Sequence, residues 1–213
     1  MTTLLLVRHG QTVWNSQLRY QGHIDTELSQ LGLAQAERIA GRLRDERIAA
    51  IYTSDLRRCL ETAEIIAAPH GLKPVPLPGL REAHYGEWQG LTYADVRARY
   101  PELVAARRRD VVGFVPPGGE SLGATYERVV AAVQQLAGRH PDAAVVVVTH
   151  GGPLRMLVGA LLGVPPGNSL RLRIDNGSLT ICESYPRSPV VAVANETCHL
   201  RGLAAPDDPA LGN

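Results

Sequence analysis

The sequence predicts an α/β protein, a three-layer α/β/α sandwich around a mostly parallel central sheet. Two apolar runs, residues 4–7 and 144–149, have the uninterrupted hydrophobicity of strands that are buried on both faces. Strand-like and helix-like segments alternate along the chain, which favours a sheet covered by helices on both faces. A length of 213 residues is enough for one compact domain. We expect that domain to occupy residues 1–201, and we expect the Gly-, Pro- and Asp-containing tail over 202–213 to be disordered.

The remaining elements are predicted from apolar periodicity and from residues that cap helices. Ser29, the pair Ser54 and Asp55, and the pair Thr92 and Asp95 are the predicted N-terminal caps of three helices. In chain order we predict a helix over 29–43, a strand over 49–53, a helix over 54–68, a short strand over 75–77, helices over 92–100, 121–136 and 153–162, and strands over 170–174, 179–182 and 190–193, the last two as an antiparallel pair.

Composition and charge exclude several classes of protein. Hydrophobic residues make up 45% and charged residues 20% of the chain, which is ordinary for a globular domain. The net charge of +1 supplies no overall field for nucleic acid or an anionic membrane, so neither is an expected partner. No run approaches the roughly 20 apolar residues of a membrane span, and the residues before the first strand lack the pattern of a signal peptide, so we expect none. Cys59, Cys182 and Cys198 have no metal-binding spacing and indicate a reducing compartment, so we expect a cytoplasmic protein.

Both apolar runs end in a histidine that is followed by glycine. Arg8, His9 and Gly10 come at the end of the first run, and His150 and Gly151 come at the end of the second. The carboxyl ends of parallel strands meet at one edge of a sheet, where the ligands of open α/β folds bind. One such pair alone would mark only the end of a strand. Two pairs at the same edge predict a shared site.

Two further stretches add charged groups that suit this site. Arg57 and Arg58 lie in the first turn of the helix over 54–68, where the helix N-terminus and a guanidinium both attract anions. Alone they would be solvent-facing arginines, but together with Arg8 they predict a pocket for phosphate or carboxylate. Glu82 lies in a Gly-rich loop. Beside such a pocket, its role would be that of general acid toward the leaving oxygen of a phosphomonoester.

Five ordered blocks of sequence are similar to those of a known family. The pattern resembles the histidine phosphatase superfamily, also called phosphoglycerate-mutase-like, and within it the phosphatase branch. The blocks come in the order in which the family has them. They are 6–12 with Trp14 and Asn15, 54–58 with 61–63, 80–82 with 85–90, 118–121, and 149–152.

This resemblance implies a role for each matching residue. His9 would be the nucleophile that becomes phosphorylated, and Glu82 would be the proton donor and then the base that activates water. No cofactor is implied, since arginines supply the positive charge. The implied chemistry suits these residue types, because phosphoryl transfer depends mostly on positioning and charge stabilisation. The residues implied to hold the phosphoryl group are Arg8, Arg58, His150, Asn15 and the amide of Gly151.

The same resemblance leaves two activities open. Mutases of the family carry a longer segment after the block that contains Glu82, and this segment helps to cover the site and retain a bisphosphate intermediate. Here Gly90 and Gly118 are joined by one predicted helix, the arginine run 107–109 and Phe114. This short connection favours a phosphatase, whose more open site lets water accept the phosphoryl group. A phosphoglycerate mutase stays the alternative.

The expected partner is a small phosphate ester, and the sequence does not decide which one. Residues 195–200 resemble the C-terminal segment of bacterial metal-independent phosphoserine phosphatases, so His199 either contacts a substrate carboxylate or is a tail histidine with no role. Sugar phosphates and α-ribazole phosphate are alternative substrates. A homodimer is also possible, with Leu179 and Ile181 at a sheet edge. Further candidates for lining the substrate pocket are Gln21, Gly22, His84 and Tyr85.

Two other classes of protein fit less well. A metallohydrolase could use His9, His84 and His150 with Glu82, but no His-Glu-x-x-His or comparable spacing is present, and the arginines would repel a cation. We therefore expect no metal site. A binding module that had lost catalysis on the same fold would be expected to lack His9 or Glu82, and both are present.

Overall fold

The architecture is an α/β/α sandwich around a mostly parallel sheet, which confirms the predicted fold class. The computed structural model describes residues 1–184 and 189–203. Its strands are β1 (Thr2–Arg8), β2 (Ile48–Thr53), β3 (Val75–Pro76), β4 (Ala144–Thr149), β5 (Leu179–Ser184) and β6 (Val190–Glu196). They form one sheet in the order β3-β2-β4-β1-β5-β6. The first four strands run parallel, and β5 and β6 are antiparallel to their neighbours.

Helices cover both faces of this sheet. They are α1 (Val13–Ser16), α2 (Gln30–Leu43), α3 (Arg57–Ala67), α4 (Tyr93–Arg99), α5 (Pro101–Arg109), α6 (Leu122–Arg139), α7 (Gly151–Leu161) and α8 (Pro166–Ser169). On one face α6 and α7 pack around Val133 and Leu154, and on the other face α2 and α3 pack around Ile39 and Ile66. Alternate side chains of β1 point to opposite faces, so its apolar run is buried in both cores.

The register of the sheet brings the predicted site residues to one edge. Arg8, the last residue of β1, pairs with Thr149, the last residue of β4. β2 lies on the other side of β4 and ends at nearly the same level. The residues that come directly after these three strands are His9, His150 and Ser54.

The predicted caps of α2 and α4 are confirmed, and the cap of α3 is wrong. Ser29 and Thr92 each accept a hydrogen bond from a backbone amide of their own first helical turn. Ser54 and Asp55 do not cap α3, which begins at Arg57 with no side-chain cap from its own flank. Instead, Oδ1 of Asp25 accepts a hydrogen bond from the Arg57 amide at 2.7 Å. A distant loop supplies this cap, so local sequence did not indicate it.

The predicted strand over 170–174 is also wrong. The chain turns after α8 instead of entering the sheet. The edge of β1 that faces away from β4 is already occupied by β5. The carbonyls of Leu172 and Ile174 accept hydrogen bonds from arginine side chains, Arg155 and Arg8 respectively.

The structure also tests the predicted helix count, the predicted sheet edge at Leu179 and Ile181, and the absence of a membrane span. The short helices α1 and α5 are absent from the sequence-based prediction. Leu179 is fully buried, and β5 lies between β1 and β6, so Leu179 and Ile181 do not form a sheet edge. The predicted disorder of the tail concerns mainly residues 204–213, which lie outside the described residues. Within the described ranges, no helix combines the length and apolar character needed to cross a membrane.

Candidate active site

Five side chains from four segments of the chain meet at the carboxyl edge of the sheet. The rings of His9 and His150 are 5.1 Å apart and meet edge to face. Arg58 contacts His150, Glu82 contacts the N-terminus of α7, and Arg8 packs against the first turn of that helix. The structure therefore brings together the five residues that were predicted to be catalytic.

His9 is held as a neutral imidazole with a defined tautomer. Its Nδ1 lies 2.7 Å from the carbonyl oxygen of Gly10. A carbonyl can only accept, so Nδ1 carries the proton and Nε2 keeps its lone pair. Burial first, and then the charges of Arg58 and Arg8, hold the pKa of His9 well below its ordinary value, although the Gly10 bond opposes this. Nε2 has no hydrogen-bond partner among residues 1–184 and 189–203, which leaves it free to act as a nucleophile.

His150 is the N-cap residue of α7 and is fully buried. Arg58 donates through Nε to Nδ1 of His150 at 3.2 Å, and Nε2 of His150 donates to Oγ of Ser54 at 2.8 Å. Burial and then the charges of Arg58, His9 and Arg8 hold the pKa of His150 well below its ordinary value. Two neutral imidazoles therefore face each other between two guanidinium groups.

The guanidinium of Arg8 has an unsatisfied donor that faces the site. Its Nη1 donates to the carbonyl of Ile174 at 2.7 Å, whereas its Nε is buried without a partner in the described part of the chain. A Cβ on Gly151 would lie 3.2 Å from this Nε, so the glycine lets the guanidinium pack closely on α7. Burial, followed by the charge of Arg155, lowers the pKa of Arg8 to about 10, and the group stays charged at neutral pH. A buried donor without a partner is one that a bound anion would satisfy.

Arg58 and Arg57 are neighbours with opposite environments. Arg58 is 1% exposed and donates from Nη1 to Ile24 and from Nη2 to Gly22, both through carbonyl oxygens. Arg57 points outward, where Glu27 and Glu61 pair with it. Of the two arginines predicted at this helix start, only Arg58 belongs to the site.

The carboxylate of Glu82 is held at the N-terminus of α7. Oε2 accepts a hydrogen bond from the amide of Gly152 at 3.3 Å, and Oε1 accepts one from the amide of Ala83 at 2.9 Å. A Cβ at position 152 would overlap Oε1, so this glycine is needed for the approach.

Three side chains hold the loop that carries Glu82. The carbonyl of Glu82 accepts hydrogen bonds from Nε2 of His23 at 2.8 Å and from Nη2 of Arg128 at 3.3 Å. Arg128 also pairs with Glu120 at 2.6 Å, and Glu120 accepts from the amide of His84 at 2.9 Å. The acid is therefore positioned through its backbone from two directions.

Asn15, Gln21 and Gly22 take part in different ways. Oδ1 of Asn15 accepts from the amide of Thr12 at 3.0 Å, while its amide nitrogen has no partner within the described ranges. Gln21 is buried, and its Oε1 accepts from the Thr12 hydroxyl at 3.0 Å, so it supports the loop. Gly22 contributes its carbonyl to Arg58 at 2.8 Å. The side-chain amide nitrogens of Asn15 and Gln21 are therefore both unoccupied donors in the described part of the chain.

His84 and Tyr85 continue from Glu82 into the wall of the crevice. The ring of His84 meets that of His23 edge to face at 4.7 Å. The ring of Tyr85 packs against Tyr20 at 4.9 Å. Burial is the main cause that raises the pKa of Tyr85, so its hydroxyl stays protonated at neutral pH.

Both ring nitrogens of His199 are occupied. Nε2 donates to the carbonyl of Gly177 at 2.9 Å, and Nδ1 lies 3.3 Å from the carboxylate of Glu196. The imidazole therefore presents no free nitrogen to the crevice. It supports the backbone of Gly177, whose amide donates to the carbonyl of Arg8 at 3.0 Å.

Several residues near the crevice were not among the predicted site residues, and two of them had a signal in the sequence. Ser54 comes directly after β2, as His9 and His150 come after their strands, and this shared position was the available signal. Arg155 is the only charged residue in α7, which is otherwise apolar, and such an isolated arginine could also have been noticed.

The arrangement can transfer a phosphoryl group. Its cationic groups are arginines, and in the described part of the chain no three His, Cys, Asp or Glu side chains are grouped as metal ligands would be. Guanidinium groups can hold the oxygens of a phosphate while a neutral imidazole attacks its phosphorus. The carboxyl group of Glu82, whose charge acts on both Arg8 and Arg58, can carry the proton. The fold and the site together define a phosphoryl-transfer enzyme of the α/β class.

Comparison with known proteins identifies the family. The sequence model of the histidine phosphatase superfamily (branch 1) matches residues 4–197. Phosphoserine phosphatase 1 of Hydrogenobacter thermophilus is 36% identical over 200 residues, which are 94% of this chain and 95% of that protein. Phosphoglycerate mutase-like protein 4 of Arabidopsis thaliana is 44% identical over 159 residues, which are 72% of this chain and 68% of that protein. The solved structure of Bacillus stearothermophilus YhfR has a TM-score of 0.87 at 34% identity and covers 94% of this chain and 100% of that one. The chain belongs to the histidine phosphatase superfamily and is a phosphatase.

Proposed function

We propose that this enzyme hydrolyses small phosphomonoesters in two steps through a phosphohistidine at His9. The observation that supports the proposal most directly is the free Nε2 of His9, on a ring whose Nδ1 is held by Gly10 and which lies between two guanidinium groups. Covalent catalysis of this kind divides one difficult displacement into two easier ones.

In the first step, Nε2 of His9 attacks phosphorus and the bond from phosphorus to the ester oxygen breaks. Glu82, in its protonated form, gives its proton to that oxygen, and the alcohol leaves. In the second step, water attacks phosphorus and gives a proton to the Glu82 carboxylate. The bond from phosphorus to nitrogen then breaks and releases phosphate, so proton and charge balance over the cycle.

The phosphoryl oxygens carry negative charge throughout, and we assign their stabilisation to the groups around His9. Arg8 offers its unpartnered Nε, and Arg58 and His150 form the opposite wall. The amide nitrogen of Asn15 and the backbone amide of Gly151 complete the set of donors. No metal or other cofactor is part of this proposal, since the guanidinium groups supply the positive charge.

Hydrolysis is favoured over mutase activity by the short segment after Glu82. This segment consists of α4, α5 and a turn, and it packs around Trp88 in a small apolar cluster with Val96 and Val104. A mutase must retain a phosphorylated intermediate away from water, and the half-buried Glu82 is consistent with entry of water. The alternative to test is a phosphoglycerate mutase activity of the same site, because two relatives are named for it, one as mutase-like protein 4 and one as the probable phosphoglycerate mutase GpmB.

Phosphoserine is the first substrate to test, because a phosphoserine phosphatase aligns along nearly all of the chain. His199 lends this choice no support, since its nitrogens are engaged by Glu196 and Gly177. Sugar phosphates and α-ribazole phosphate stay as alternatives. We further propose that residues 1–201 act as one catalytic domain and that the enzyme works in the cytoplasm, as its free cysteines suggest.

The test is phosphate release in excess chelator from L-phosphoserine, 3-phosphoglycerate, sugar phosphates and an aryl phosphate. Isomerisation of 3-phosphoglycerate is measured in parallel. Release of phosphate that the chelator does not reduce is the expected result. Isomerisation without release would show a mutase, and activity lost with the chelator and restored by a metal would contradict the proposed mechanism.

A further inference from the structure

Arg155 lies one helical turn after Gly151 and Gly152, on the side of α7 that faces Arg8 and Glu82. It lies in the second turn of α7, and its Nε donates to the carbonyl of Leu172 at 2.9 Å. Two residues further on, the carbonyl of Ile174 accepts from Nη1 of Arg8 at 2.7 Å. One short segment therefore orients both guanidinium groups.

The terminal nitrogens of Arg155 have no partner within residues 1–184 and 189–203, and no carboxylate of these residues forms an ion pair with it. The charge of Arg155 nevertheless affects the pKa of other residues in the site. After burial, it is the strongest influence that lowers the pKa of Arg8, and it also acts on the pKa of Tyr85. Arg155 thus lies close enough to act on both residues, and the terminal nitrogens of its guanidinium are available to a ligand.

When Glu82 is protonated, as the proposed first step requires, the charges around the crevice leave one cation over. Arg8, Arg58 and Arg155 then carry three positive charges, since both histidines are neutral. Asp175 also acts on Arg8, but its carboxylate is already bound by the side chains of Arg173 and Asn195. A phosphoryl dianion matches Arg8 and Arg58. The third guanidinium matches a further negative group.

We propose that Arg155 binds a carboxylate on the leaving group of the substrate, with Tyr85 beside it, so that the enzyme prefers small phosphorylated acids. The inference rests on the proposed phosphatase function and adds a substrate class to it. A guanidinium offers two parallel donors that match the two oxygens of a carboxylate, and a half-buried position strengthens such a pair.

Two pairs of substrates test this, because the members of each pair differ mainly in the carboxylate. They are L-phosphoserine with phosphoethanolamine, and 3-phosphoglycerate with glycerol 3-phosphate. We expect the wild type to prefer the acid in at least one pair. Arg155→Gln should lower kcat/KM for that acid by about tenfold to a hundredfold, mainly through KM, and should largely remove the preference. Arg155→Lys keeps the positive charge but lacks the two parallel donors of a guanidinium. Its kcat/KM for the acid should lie between those of the wild type and Arg155→Gln.

The matched control is Arg171→Gln, an exposed arginine of the neighbouring turn, which should keep the preference and the rates of the wild type. Thermal unfolding of each variant shows whether it is folded. Equal losses on acid and neutral substrates, or no preference in either pair, would overturn the role of Arg155. The proposed phosphatase function is tested separately with His9→Ala on an aryl phosphate. Loss of hydrolysis in this variant would leave the phosphatase function intact even if the role of Arg155 is overturned. Unchanged hydrolysis would contradict the phosphatase function.

Discussion

Arg58 donates a hydrogen bond through Nε to Nδ1 of His150 at 3.2 Å and thereby joins the start of α3 to the end of β4. The bond requires His150 to be neutral at Nδ1, and it turns the other imidazole nitrogen toward Ser54. Arg58 also holds the loop at Gly22 and Ile24. One buried guanidinium therefore orients a histidine and a loop as well as presenting positive charge.

Arg58→Lys should lower kcat/KM on every phosphate ester by roughly a hundredfold or more, because lysine cannot reproduce three directed hydrogen bonds. The adjacent Arg57→Lys is the matched control, since Arg57 points outward and pairs with Glu27 and Glu61 instead of a site residue, and its kinetics should stay within about twofold of the wild type. Steady-state kinetics on an aryl phosphate measures both. Similar losses of kcat/KM in the two variants would contradict the assignment of Arg58, and not Arg57, to the site.

His9→Ala should reduce turnover by at least about a thousandfold, because the covalent route has no substitute nucleophile. Rapid quenching of the wild type during turnover should trap a phosphorylated peptide that contains His9, detected by mass spectrometry. Turnover of the variant within tenfold of the wild type would refute the assignment of the nucleophile.

Glu82→Gln should slow the hydrolysis of alkyl phosphates far more than that of aryl phosphates, whose leaving groups need less protonation. The measurement is the first chemical step in single-turnover kinetics on one ester of each kind. Equal losses on both esters would exclude Glu82 as the general acid.

Gly152→Ala provides a second route to the same acid without changing its chemistry. The added Cβ would overlap Oε1 of Glu82 and displace the carboxyl from the start of α7. We expect a selective loss on alkyl phosphates, smaller than that of Glu82→Gln. Gly138→Ala, at an exposed position in α6 where a Cβ meets nothing, is the control and should leave kinetics unchanged. If Gly152→Ala hydrolyses alkyl phosphates at the wild-type rate, the Glu82 carboxyl does not need its position at the start of α7.

Stability should fall as the pH drops below the ordinary histidine value. The folded state lowers the pKa of His9 and of His150, so the unfolded chain takes up protons first as the pH falls through about 6.5. Each histidine then removes about 1.4 kcal/mol of unfolding free energy per pH unit until its own folded pKa is reached. Urea unfolding in phosphate-free buffer at several pH values measures this slope. His9→Gln should remove one histidine's share of it, and a slope equal to that of the wild type would contradict the buried neutral state of His9.

The fold class and the five catalytic candidates were accessible from the sequence because each had a local signal. Apolar runs that end in His-Gly mark both the strands and the residues that leave them. By contrast, the cap of α3 comes from Asp25 and not from Ser54 or Asp55. Residues 170–174 were predicted as a strand because they have strand-like composition, but β5 occupies the sheet edge that they would need.

By itself, the sequence determined the α/β architecture, the edge at which the site lies and the residue types that carry the chemistry, since these depend on periodicity and on the residues directly after each strand. Only the tertiary structure decided which of Arg57 and Arg58 faces the site, that His199 is already engaged, and that Arg155 lies beside Arg8. The physical reason is that orientation and pairing depend on partners far away in the chain. Hydrogen bonds from Asp25, Gly177 and Leu172 set them, and no local pattern contains those partners.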